Sequence, residues 1–199
     1  MDVAALIADP AAGIADIAAH LDGLSSTDRW AQVRVLGRDQ QRVLYRKADG
    51  SRIGLDHFVG DAGALVQVVH DGVNTLPAPA LRRFQKRICR PASGDKLFGY
   101  NEGPTRRLIG PGYFIATTAD QHPQWARRGG VVIDYYQVPD SDVVPGWPSV
   151  VPNSKGLQRF VFHQTRDFIR RVSTHVSIGA VFRHDKPLDH YFVLCRPSH

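Results

Sequence analysis

LFGYNEGPTRRLIGPGYFIATT, residues 97–118, holds two short apolar runs, a polar turn with paired arginines and a Gly-Pro-Gly at 110–112. Gly110 and Gly112 lie two apart, so in a strand both leave a gap on the same face, open to a packed side chain or a ligand. If the turn is extended, Arg106 and Arg107 point to opposite faces. One of them then clamps a carboxylate or phosphate while the other stays in water. Glu102, the only glutamate among 19 acids, stands in the same turn.

Downstream the pattern stays β. The stretches 96–100, 107–118 and 130–138 are strand candidates, separated by Asn-Glu-Gly-Pro and by a polar loop at 119–129. Residues 139–152, PDSDVVPGWPSVVP, carry four prolines, which exclude a regular central element and predict a surface-wrapping loop with Trp147 tucked in. Leu157, Phe160, Val161, Phe168, Ile169 and Val172 then recur at helical spacing, which predicts one long helix over about 154–172. A hairpin follows, 173–183 and 188–196, turning at His184-Asp-Lys-Pro187. Its first strand puts His175, Ser177 and Gly179 on a small, polar face opposite Val176, Ile178 and Ala180.

Upstream, residues 80–90 are ambiguous: Leu81, Phe84 and Ile88 suit a helix after Pro79, whereas Phe84, Lys86 and Ile88 alternate as in a strand. Residues 51–80 read as a linker with a short strand at 64–70, ended by Asp71-Gly72. Residues 1–50 form a helical subdomain. Apolar positions recur through 2–8 and 11–23, Pro10 separates the two runs, and Ser25 caps the next helix. Helix, glycine, helix over 29–48 has the outline of a DNA-reading pair, with Gln40, Gln41, Arg42 and Arg46 available to face a duplex.

These elements predict an α+β fold: the N-terminal helical subdomain, then over 81–199 a curved antiparallel sheet packed on one long helix. A half-barrel is the limit of that curvature.

Composition narrows the function classes. The chain has 199 residues, with 43% hydrophobic and 22% charged, as a globular domain does. No apolar run reaches the roughly 18 residues of a membrane span, and the acidic N-terminus lacks the basic start of a secretory signal, so a cytoplasmic location is expected. Cys89 and Cys195 form no CxxC pattern, and the nine histidines show no HxH or HExxH spacing, so neither a metal nor a cofactor is expected. The net charge of +6 includes eight Lys or Arg between Arg82 and Arg107 against Asp95 and Glu102.

The reading that follows is a non-catalytic domain holding a small organic or anionic ligand between sheet and helix, lined by Tyr100, Arg106, Arg107, Tyr113, Asp134, Tyr136 and His175. Two others stand beside it. One is an enzyme using Asp134 and His175 as an acid–base pair. The other is nucleic-acid binding through the basic cluster at 82–107.

Overall fold

The computed structural model describes residues 2–76, 82–120 and 122–197. Pro79 and Leu81, on which the helical reading of 80–90 leaned, lie outside the described residues.

Eight antiparallel strands form a closed barrel in chain order: β1 (Val68–Asn74), β2 (Arg83–Cys89), β3 (Leu97–Glu102), β4 (Phe114–Thr118), β5 (Val131–Asp134), β6 (Thr165–Arg171), β7 (Val176–Arg183) and β8 (Lys186–Cys195). The closing seam pairs β1 with β8, Asp71 opposite Cys195 and Asn74 opposite Phe192. Closure leaves no unpaired edge, which an open curved sheet would expose along its two outer strands.

The barrel corrects the expected α+β arrangement of an open sheet on a long helix. Residues 154–172 do not form a helix: Leu157–Phe160 is a single 3-10 turn, Gln164 takes a left-handed φ of 59°, and β6 begins at Thr165. The apolar positions of 157–172 fit a helical stripe, but Asp167 and Ile169 also alternate with Phe168 and Arg170. Period two wins because inside the barrel Asp167 finds Lys86, which a helix on the surface would not offer. The sheet closes because β1 runs straight through Asp71-Gly72, a dipeptide that by sequence alone signals a turn. Gly72 has no side chain to clash with the Phe84 ring from β2.

The pairing register sorts each strand into two faces. Phe84, Lys86 and Ile88 point inward with Asn101, Gly99 and Leu97, with Phe114 and Ala116, and with Tyr135, Ile133 and Val131. Thr165, Asp167 and Ile169 continue the lumen, followed by Val181 and Gly179 and by Phe192 and Leu194. Interior positions of an eight-stranded barrel are mostly filled by side chains, with room left for at most a small ligand. One end is filled here. Ile53 and α5 (Asp56–Val59) drive Phe58 and Val59 into the aliphatic layer of Val68, Ile88, Val131, Ile169 and Leu194.

The outer face is covered on two sides. Helices α1 (Val3–Ala8), α2 (Ile14–Asp22), α3 (Ser26–Val33) and α4 (Arg38–Lys47) bury Ile7, Ile17, Leu21, Val33, Leu36 and Leu44 against Val73, Val176, Ile178 and Val193. Asp2 and Ser25 cap α1 and α3 by accepting from the Ala5 and Asp28 amides. The proline-rich loop lays Val143, Val144 and Trp147 over Cys89, Phe98 and Ile115. Two short helices, α6 (Arg106–Ile109) and α7 (Pro123–Ala126), lie in the β3–β4 and β4–β5 connections.

Candidate functional site

The end of the barrel opposite α5 holds a cavity of about 340 Å³. Its walls are largely apolar and aromatic, with Phe84, Ile109, Phe160, Phe162, Val181, Leu188 and Phe192 among them. This volume lies at the lower end of the range for small-molecule pockets.

Glycine makes the floor possible. Three inward glycines face a phenylalanine directly across a strand pair: Gly72 opposite Phe84, Gly99 opposite Phe114 and Gly179 opposite Phe192. In each case the ring lies on the glycine so closely that an added Cβ would meet Cζ at 2.6, 2.4 and 2.3 Å respectively. Folded down in this way, the three rings, together with Tyr135, surround the Lys86 ammonium at 4.9 to 5.5 Å from their centroids. A desolvated cation gains from the negative faces of such rings.

The ammonium also has polar partners. Lys86 Nζ donates to the Tyr135 hydroxyl at 2.5 Å and to Asn101 Oδ1 at 3.0 Å, and lies 3.6 Å from Asp167 Oδ2. Asn101 Nδ2 donates to the Gly112 carbonyl at 2.8 Å, which fixes the amide and ties the network to the β3–β4 connection. Burial lowers Lys86 to about 8, with Asp167 pulling the other way. Burial likewise raises Asp167 to about 6 against the attraction of Lys86, and lifts the Tyr135 phenol well above its ordinary value. Tyr135 therefore keeps its proton, and Lys86 and Asp167 are drawn toward each other in proton affinity.

At the mouth, Glu102 accepts from Arg106 Nε at 2.7 and 2.8 Å. Arg183 donates from Nη2 to the Phe160 and Val161 carbonyls, and its Nε is buried with no hydrogen-bond partner among the described residues. Arg83 and His190 complete the rim. Four basic side chains, Arg83, Lys86, Arg106 and Arg183, line the cavity against two carboxylates, Glu102 and Asp167. The field in the cavity therefore favours an anion.

Of the residues expected from sequence, Arg106 lines this cavity and six others lie outside its lining. Arg107 is exposed on α6. Tyr100 and Tyr113 face outward and pack on Trp147 at 5.0 and 6.3 Å, holding the proline-rich loop; the Tyr113 hydroxyl donates to the Pro148 carbonyl. Asp134 is buried on the outer face, accepting from Arg166 Nε at 3.2 Å, and the Arg166 guanidinium lies over the Tyr136 ring. His175 follows β6 at the α5 end of the barrel, whereas Asp134 pairs with Arg166 at the mouth end. About five residues of strand, roughly 16 Å, separate those ends, so the structure does not assemble the Asp134–His175 pair.

The glycines at 110–112 also take a different role. Gly110 and Gly112 have φ of 117° and 54°, and an added Cβ would strike Gln158 and Phe162. They let neighbours close up, and the room is made by the three glycines under the phenylalanines instead. The basic cluster at 82–107 is divided: Lys86 points inward, while Arg90, Lys96 and Arg106 are paired with Asp56, Asp140 and Glu102. In α4, Gln41 is buried and donates to the Leu36 carbonyl, Arg42 is bound to Asp189, and Arg46 is exposed.

Lys86, Tyr135 and Asp167 escaped the sequence reading for identifiable reasons. The alternation Phe84-x-Lys86-x-Ile88 places a lysine on an apolar face and was the available signal. Asp134 drew attention to the wrong parity of its strand, and the helical stripe hid Asp167.

Among the described residues, no group of three or more His, Cys, Asp or Glu is placed to hold a metal, and no helix is long and apolar enough to cross a membrane. Comparison with protein-family models, with curated proteins and with solved structures finds no match to this chain.

Proposed function

We propose that the barrel is a non-catalytic binding module for a small organic acid, taken apolar end first into the cavity with its acidic group at the basic mouth. The observation that carries this reading is the 340 Å³ cavity itself, apolar along its walls and lined by four cations against two carboxylates. Lys86 has its three donors directed at Tyr135, Asn101 and Asp167, which leaves the mouth arginines as the natural partners of an incoming anion. The unpartnered Nε of Arg183 supports the same placement.

The test is a thermal-shift panel of medium-chain and aryl carboxylates with their methyl esters, on the native chain and on Val181→Trp. Val181 faces the lumen and lines the cavity, so an indole there fills it. Carboxylates are expected to raise Tm, with about 2.7 kcal/mol of stabilisation at 100 times Kd. Esters should do less, and the folded Val181→Trp variant should not respond. A panel without any shift, or an equal shift in the filled variant, contradicts the reading.

A further inference from the structure

We propose that Lys86 captures carbonyl compounds covalently, as a protonated imine, when the bound acid carries an aldehyde or ketone at its inner end. This rests on the cavity reading above and adds a reacting atom to it. The observations are geometric. Lys86 is the one lysine that lines the cavity, it sits on the floor, and it is 2% exposed. The hydroxyl of Tyr135, 2.5 Å from Nζ, can carry a proton between nitrogen and oxygen, and Asp167 at 3.6 Å is a counter-ion for a cation at that nitrogen. Rings of Phe84, Phe114, Tyr135 and Phe192 enclose the same point and stabilise an iminium as they do an ammonium. The lowered proton affinity of Lys86 supplies a fraction of free amine at neutral pH.

The step balances without an oxidant or reductant. Transfer of a proton from the ammonium to the Asp167 carboxylate frees the nitrogen lone pair, which attacks the carbonyl carbon and forms the C–N bond as the C=O π pair moves onto oxygen. A nitrogen proton moves through Tyr135 to the carbonyl oxygen, giving a carbinolamine. Return of the first proton from Asp167 to the hydroxyl lets the C–O bond break, water leaves through the mouth, and the nitrogen lone pair forms the C=N bond. Ammonium plus carbonyl thus becomes iminium plus water, and the positive charge stays beside Asp167.

The probe is 4-carboxybenzaldehyde with sodium cyanoborohydride, and the control is p-toluate, which has the acid without the carbonyl. The expected result is one 4-carboxybenzyl adduct per chain, mapped by peptide mass to Lys86 and suppressed by p-toluate. Tyr135→Phe, which retains the amine, should slow the labelling at least about tenfold. Labelling confined to Lys47, Lys96, Lys155, Lys186 or the N-terminus, while p-toluate still raises Tm, overturns the covalent step and leaves the binding reading intact. Absence of both the Lys86 adduct and the p-toluate shift overturns the two together.

Discussion

A methyl group at position 179 would stand 2.3 Å from Cζ of Phe192, so the ring has to move to admit it. Phe192 would be pushed up into the cavity, away from Lys86. Gly179→Ala is therefore expected to cost about 1–3 kcal/mol in urea unfolding and to weaken carboxylate binding at once. Gly54→Ala is the matched control, because nothing lies within 4 Å of its added carbon, and it should stay within about 0.5 kcal/mol of the native chain. The coupling of small to large across a strand pair was only half visible in the sequence. Alternation in 84–88 and the small residues around Gly179 could be read, but which phenylalanine covers which glycine depends on register, and register depends on closure.

The strands nearest the stretch at 97–118 were legible where their alternation is undisturbed: β3, β5 and the last hairpin lie close to where the pattern places them. Of the strand expected over 107–118 only Phe114–Thr118 forms, the first part being the short helix α6. Two elements were not. β6 carries an apolar set compatible with both periods, and only its partner across the lumen decides between them. β1 contains Asp-Gly, a turn signal in isolation, which a ring from β2 converts into a place where a strand can pass. The helical layer is also fastened by a side chain that the sequence did not reveal. Arg170 on β6 donates to the carbonyls of Arg128, Tyr45 and Arg127 at 2.8–3.1 Å, and its Nη2 also meets Asp49 at 2.8 Å. Arg170→Leu leaves these carbonyls without their donor, and a loss of about 2–4 kcal/mol is expected in equilibrium unfolding. Arg42, whose partner Asp189 is half exposed, should cost clearly less than Arg170 when replaced by Leu in the same measurement.

The closed barrel, plugged by Phe58 and lidded on its flank by four helices, ties its stability to acid through buried histidine. His70 is fully buried, its Nε2–H donating to the Phe58 carbonyl and its Nδ1 without a hydrogen-bond partner among the described residues, and burial lowers it to about 4. The unfolded chain takes up that proton near 6.5, so this contribution is complete above 6.5 and is lost as pH falls toward 4. Asp167 works in the opposite sense. Raised to about 6, it binds its proton first in the folded state and adds stability as pH drops below 6. Unfolding free energies at pH 7.5 and 4.5 should therefore fall less in His70→Gln than in the native chain, by about 2–3 kcal/mol, and fall more in Asp167→Asn. Equal slopes in all three would remove the buried histidine and the buried pair from the account.

The placement of Lys86 inside a ring-lined lumen carries both the fold and the site, and a pH titration of the five lysine side chains by NMR, observing the ε-methylene signals, reads it directly. One ε-methylene should be shifted far upfield by the four surrounding rings and titrate near 8. Five signals with ordinary shifts, all titrating near 10.4, would contradict it.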